Sequence, residues 1–445
     1  MDRRARRLAR LTLLAAAALP AALAAAPPAA AQQPQVPEFA PGEVVVRAED
    51  QRYGETIELP DGVAVSEALA ALRSNPNISY AVPNYIATAS GVPNDPGTVP
   101  PGGGPRSGWT ATQWNFLPCG SLCAPGTPAL PLQSPGGIDA LGAWKNLKKA
   151  GRPGGRGVTV AVLDTGIAYK DKGTRFLRSP DFGGRQFVPG FDFVGKDAQP
   201  LDLNGHGTHL AGTIGEKTNN QTALTGLAFN AKLMPVRVLN EVGAGKADKI
   251  AKGIRFAARN GAQVINMSFN FGCGNAVPPV AQAMRFASNR GVVLVASTGN
   301  DEPRGCVTMP ASDLHAIAVG GTTEDACLGS YSKVSPRVDL VAPGGGAPAL
   351  GCPIATASRP IYQLTFRTGQ PKRFEIPGSY EGTSMSAAHV SGVAAQVIAS
   401  GVVGVKPTPA QVLDRLKATA RDLGTPGEDN EFGAGLIDAA AATAR

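Results

Sequence analysis

A serine, a histidine and an aspartate in three separate short motifs are the side chains of this chain best suited to covalent chemistry. Ser384 stands in GTSMSAAHVSG (382–392), before a run of small residues that reads as a tightly packed helix. An oxygen at a helix start faces free N–H groups and the positive end of the helix dipole, a field that favours developing negative charge. Taken alone, such a serine reads as an N-cap. It becomes a nucleophile when a neighbouring base takes its proton and a third group fixes the tautomer of that base. The chain has four histidines, at 206, 209, 315 and 389, and the first two share NGHGTHLAG (204–212). Gly205 and Gly207 leave the His206 ring open at a helix start, whereas His209, beside Leu210 and Ala211, reads as a packing residue. A zinc pair is a poor reading of the two, because no Glu lies between them and no third ligand is evident. Asp164, in GVTVAVLDTGI (157–167), supplies the candidate acid.

The elements that must position these side chains follow from pattern. Val158 to Leu163 is a short apolar, β-branched run, read as a buried parallel strand that delivers Asp164 to its carboxyl end. In an open α/β sheet that end opens on the crevice where ligands bind. Strands are expected at 231–239, 262–269, 292–297, 314–321 and 337–344, with helices at 246–260 and 280–290, each stopped by a glycine. A helix near 409–420 and the segment 432–442 close the chain. Such alternation predicts an α/β domain with a mostly parallel sheet covered by helices on both faces.

In the order Asp, His, Ser, the three motifs resemble those of the subtilisin-like serine protease family, and the likeness runs from about residue 110 to the end. It implies a three-layer subtilisin-like fold and a serine endopeptidase with Asp164, His206 and Ser384 as its triad. Position 388 departs from the family, with Ala where Pro is common, and removes no catalytic group. In STGN (297–300), Asn300 matches the oxyanion-hole asparagine of the family. The segments VGAG (242–245) and SFNFG (268–272) match the two edges that clasp an extended peptide. The resemblance thus assigns Gly243, Ala244, Gly245, Ser268, Phe269, Asn270, Thr298, Gly299 and Thr308 to substrate binding. With Thr308 at the base of the primary pocket, large aromatic side chains are expected to fit less well.

The amino-terminal part reads differently. MDRRARRLAR carries five arginines against one aspartate, an Ala/Leu-rich stretch runs through residue 26, and small residues at 29–31 offer a cleavage site. Residues 1–31 are read as a signal peptide, which implies a secreted protein, periplasmic or extracellular, with no membrane association after cleavage. Residues 32–90 hold three arginines against eight acids. A strand at 42–47, an amphipathic helix at 65–75 and a strand at 78–85 make a small α+β unit that resembles the family's propeptide, an inhibitor and folding aid. The Gly/Pro-rich stretch 91–110 is read as an exposed processing linker, and 111–445 as the catalytic domain. The whole chain carries +8, the signal +4 and residues 32–90 −5, so the rest is strongly basic. That basicity lacks an aromatic-interleaved stripe and reads as a solvated surface, with no nucleic-acid partner. The expected partners are polypeptide substrates and the chain's own propeptide, bound to a monomer.

Six cysteines in an exported chain suggest disulfides. Fifteen connectivities are possible, and the local pairs 119–123, 273–306 and 327–352 are favoured. No cofactor is expected for the chemistry. Structural Ca2+ is an expectation of the resemblance, with Asp181, Asn220 and Gln113 as oxygen ligands. The segment 345–380 is longer than the family core needs and has no functional reading. An acyl hydrolase or esterase, or a catalytically silent binding protein, could use the same scaffold.

Overall fold

The computed structural model describes residues 39–49, 51, 55–85, 94–98, 108–120, 132–301, 303–352 and 359–445, and the expected signal peptide lies outside them. The chain divides into two units, Met1–Ser90 and Gly91–Arg445. In the first, strands β1 (Phe39–Ala48), β2 (Glu55–Glu58) and β3 (Ile78–Tyr85) form an antiparallel sheet in the order β2-β1-β3. Helix α1 (Val65–Arg73) buries Val65, Leu69 and Leu72 against Val44, Val46 and Ala81. Sequence reading found β1, α1 and β3 but passed over β2. Its ETIE sequence lies on the sheet edge with three of its four residues exposed, so it carries no alternating apolar signal.

The second unit is built on a seven-stranded parallel sheet. Its chain order is α2 (Trp109–Thr112), α3 (Ala140–Lys149), β4 (Thr159–Asp164), β5 (Phe191–Asp192), α4 (His206–Gly215), β6 (Lys232–Arg237), α5 (Ala247–Arg259), β7 (Val264–Met267), α6 (Pro278–Ser288), β8 (Val293–Ser297), β9 (Ala316–Thr322) and β10 (Leu340–Pro343). A short hairpin, β11 (Thr365–Phe366) and β12 (Phe374–Glu375), precedes α7 (Thr383–Ser400), α8 (Pro409–Ala418) and α9 (Ala439–Thr443). The sheet order is β10-β9-β8-β7-β4-β6-β5, every pairing parallel. Alternate residues of each strand enter two separate cores. Val160, Val162, Val264, Val293 and Val295 face α4 and α7, while Ala161, Leu163, Ile265, Leu294 and Ala296 face α5 and α6. That two-sided burial explains the continuous apolar runs in the strands and fixes the three-layer α/β architecture. Helix α6 begins two residues before its expected start, because Pro278 and Pro279 occupy positions whose N–H groups would have no partner anyway.

Cys273–Cys306 and Cys327–Cys352 are bonded as expected; Cys123 of the third pair lies outside the described residues. The stretch read as an exposed linker is tied down at one point. Asp95 is 1% exposed, and its carboxylate accepts from the N–H groups of Asn219 and Asn220 at 2.8 and 3.0 Å. Gly97 N–H also donates to the Ala223 carbonyl at 2.7 Å. Composition suggested exposure there; a buried carboxylate bonded to a loop some 124 positions along the chain prevents it.

Candidate active site

Asp164 is the last residue of β4, fully buried, and α4 starts at His206 directly above it. Gly207 makes that approach possible, since a Cβ there would strike the Gly166 carbonyl and the Asp164 side chain. His206 Nδ1 lies 2.8 Å from Asp164 Oδ1, which also accepts from Thr165 N–H at 2.7 Å. A neutral imidazole must then carry its proton on Nδ1, leaving Nε2 as the basic nitrogen. A quarter of the His206 side chain remains exposed, so that nitrogen can meet a substrate. Burial works against its cation, but the charge and hydrogen bond of Asp164, with Asp202 behind, outweigh it and hold the imidazole above its ordinary pKa.

Ser384 is the second residue of α7 and is half-buried. Its hydroxyl donates to the Ser268 carbonyl at 3.4 Å, and among the described residues no hydrogen bond joins it to His206. That bond is long enough for the hydroxyl to rotate away at little cost. Thr383 arranges the neighbouring asparagine. Asn300 Oδ1 accepts from Thr383 N–H at 2.9 Å and from Thr383 Oγ1 at 2.8 Å, which turns the Asn300 amide NH2 outward from the helix start. The Thr383 hydroxyl in turn accepts from Gly299 N–H at 3.2 Å. The Ser384 N–H lies in the first turn of α7, whose donors have no partner within the helix. Sequence reading named Ser384 and Asn300 but not Thr383, whose place in the Gly-Thr-Ser turn was the available signal.

The predicted binding segments fall into two groups. Ser268, Asn270, Thr298, Gly299 and Thr308 gather at the carboxyl ends of β7 and β8, with Ser268 Oγ bonded to the Ser384 carbonyl at 2.9 Å. Phe269 turns instead into the helix-side core beside Phe271, at 6.5 Å between ring centroids. Gly243, Ala244 and Gly245 are exposed in a turn fixed by Asn240, which bonds the backbone of Val242, Gly243 and Ala244. This turn spends the N–H groups of 243 and 244 internally, and among the described residues the Gly243 carbonyl and both backbone polar groups of Gly245 take no backbone partner.

Three further contributors escaped sequence reading. Asp202, buried, accepts from the N–H groups of Asn204, Gly205 and Thr208 and from the Thr208 hydroxyl, so it caps the start of α4 and fixes His206. Burial raises its own pKa against those bonds. An acid a few residues before a helix was the legible cue. Tyr380 stacks on His209 at 4.0 Å and lies 6.4 Å from the His206 ring. His209 is a packing residue, as expected: burial pulls its pKa down to about 3, and its Nε2–H donates to the Ile361 carbonyl at 3.0 Å. The β11–β12 hairpin of the long 345–380 segment covers the same helix start through Thr365 Oγ1, which donates to the Gly205 carbonyl at 2.6 Å.

Asp181 is buried below the loop 218–224, where Asn220 Nδ2 donates to its Oδ1 at 2.8 Å and Leu224 N–H to its Oδ2 at 3.0 Å. Burial, with Asp95 nearby, pushes the Asp181 carboxyl up to about 7. Gln113 stands apart from this set, because its carboxamide is closed on both backbone groups of Thr225, at 2.8 and 3.0 Å. Among the described residues no three His, Cys, Asp or Glu side chains gather as a metal centre. The Asn220 amide turns its nitrogen toward Asp181, while its Oδ1 accepts from Thr222 N–H at 3.1 Å; carboxylate and amide oxygens are the donor class of a hard cation and not of a transition metal.

A buried acid on a parallel strand, a histidine on it, a serine at a neighbouring helix start and an outward amide form an arrangement for acyl transfer. Residues 155–435 match the model of the Subtilase family. The chain is 31% identical over 359 residues to the thermophilic serine proteinase of Bacillus sp. strain AK1, covering 80% of this chain and 72% of that one. It is 36% identical over 294 residues to Subtilisin Savinase of Lederbergia lenta, covering 65% and 91%. Among solved structures, a protease from Pseudoalteromonas arctica PAMC 21717 superposes with a TM-score of 0.57 at 29% identity, covering 69% of this chain and 94% of that one. Site, fold and sequence agree: the chain belongs to the subtilase family of serine endopeptidases.

Proposed function

We propose that the chain hydrolyses peptide bonds through an acyl-enzyme formed on Ser384. The observation that carries this is the 2.8 Å bond between His206 Nδ1 and buried Asp164, which leaves Nε2 as base at the sheet's carboxyl end. His206 takes the hydroxyl proton as Ser384 attacks the carbonyl and returns it to the leaving amine. Asp164 holds the tautomer and stabilises the imidazolium. The Asn300 amide and the Ser384 N–H receive the oxyanion. A peptide laid against 243–245 and 268–270 by backbone pairing is recognised with little sequence demand, which supports a broad endopeptidase over an esterase. Turnover of casein that a serine-directed phosphonate abolishes is the expected result; hydrolysis of simple esters without casein cleavage would favour the acyl hydrolase instead.

The chain is read as a secreted zymogen. Residues 1–31 direct export, and residues 32–90 fold as a unit that inhibits and assists the catalytic domain until it is cut away. The anchoring of Asp95 argues for a cut before Asn94. Structural Ca2+ is proposed at Asp181, Asn220 and Asp95, where its charge would relieve two buried carboxylates; the chemistry itself needs no cofactor.

A further inference from the structure

Helices α5 and α6 with their flanking residues, 246–260 and 277–291, hold seven lysines and arginines against a single acid, Asp248, which is paired with Lys252 at 3.4 Å. Ile250, Ile254 and Ala257 turn one side of α5 to the core, so Lys252, Arg255 and Arg259, at i, i+3 and i+7, form a stripe on the opposite side. Arg290 approaches from the end of α6, one residue past its C-cap Asn289. Three of these cations converge on one ring. The guanidinium carbons of Arg255, Arg259 and Arg290 lie 5.0, 5.2 and 4.6 Å from the centroid of Phe286. All three are therefore within about 10 Å of one another, roughly one Debye length at ordinary ionic strength.

Such crowding is unfavourable, and no acid of the chain relieves it. Arg255 and Arg259 are a like-charged i,i+4 pair, and none of the three arginines forms an ion pair or hydrogen bond among the described residues. Phe286 is half-buried and belongs to neither core of the sheet, so core packing does not account for the ring. A helix C-terminus attracts cations, which accounts for Arg259 and Arg290 singly but not for the convergence of three on one ring. A guanidinium laid against an aromatic ring gives its face to the ring and keeps its N–H donors in the plane of the fork. Phe286 thus holds three forks in place with their donors free, and an oxyanion that bridges them orders little on binding. The two helices lead into β7 and β8, so the cluster lies at the amino ends of the strands, the end of the sheet opposite to Ser384.

We propose that Arg255, Arg259 and Arg290, held by Phe286, form a binding site for a multiply charged tetrahedral oxyanion of the phosphate or sulfate class, free or carried on a polymer. The site requires nothing of the triad. Mature enzyme inactivated with a serine-directed inhibitor is titrated calorimetrically with sodium sulfate and with dextran sulfate, at an ionic strength held fixed with chloride. The expected result is saturable binding of dextran sulfate or of both probes, weakened about tenfold in Arg255→Gln and in Arg290→Gln, the scale of one charge-assisted hydrogen bond. Phe286→Leu, which keeps all three charges, should weaken binding as well. Lys249→Gln removes one charge from the same helix away from the ring and should leave the affinity unchanged. Binding of both probes supports the site with a free ion as a sufficient ligand, and binding of dextran sulfate alone supports it with a polymer-borne group. Wild-type enzyme that binds neither probe overturns the site, whether or not the variants fold. An equal loss in Lys249→Gln and Arg255→Gln would reduce the effect to net charge and overturn it too.

Discussion

At the scale of single residues, activity depends on which atoms hold His206 and which receive charge. His206→Ala is expected to lower kcat on the order of a million-fold, the size of such losses in subtilisin itself. Asp164→Asn should cost about ten-thousand-fold, because the geometry survives with the wrong tautomer. Steady-state kinetics on casein or a peptide anilide measures both. Asn300→Leu should lower kcat by roughly a hundred- to a thousand-fold, again the scale seen in subtilisin, with KM nearly unchanged; a change confined to KM would make Asn300 a ground-state contact. The pH profile separates Asp202 from a purely structural role. His206 must be neutral to act, and anions near it raise its pKa, so activity falls as pH drops through that raised value. Removing one anion in Asp202→Asn lowers the imidazole pKa, and the acid limb of kcat/KM should move to lower pH, while an unmoved limb would leave Asp202 as a helix cap alone. Asp164, His206, Ser384 and Asn300 could be found in the sequence because each lies in a short motif whose neighbours shape it. Asp202 was missed although its partners Asn204, Gly205 and Thr208 all lie in the His206 motif, whereas Asp95 works through contacts that a motif does not contain. Asp95 owes its burial to a loop 124 positions away.

At the scale of elements, the carboxyl ends of β4, β7 and β8 and the starts of α4 and α7 carry the whole site. The central strands and the helices between them were legible because period and apolar length speak for buried elements; the polar edge strand β2, the helices α2 and α3 and the two-residue strands β5, β11 and β12 were passed over. The loop 218–224 is the element with an outstanding charge problem, since it covers Asp181 and Asp95 together. Under the proposed calcium assignment, Ca2+ should raise the midpoint of thermal unfolding by several degrees over EDTA, by mass action on the folded state. The increment should shrink in Asp181→Asn. Equal midpoints with and without Ca2+ for the wild-type enzyme would remove the cation from the account.

At the scale of the whole molecule, the division into two units and the charge contrast between them bear on maturation. If residues 32–90 are a propeptide, Ser384→Ala should accumulate near precursor size, minus only the signal, while the wild-type chain appears about six to seven kilodaltons smaller on a denaturing gel. The separate 32–90 fragment should inhibit the mature enzyme, more weakly at high salt if its net −5 contributes. Equal trimming of both chains in a protease-deficient host would show that processing is not autocatalytic. None of this stands without the nucleophile, and one measurement reaches it directly. Mature wild-type enzyme is titrated with a serine-directed phosphonate, and intact mass, peptide mapping and residual casein activity are read from the same samples. The account predicts one adduct per chain, located on Ser384, with activity falling in proportion to labelling. Complete labelling of Ser384 with activity retained, or loss of activity that tracks an adduct on another residue, would contradict it.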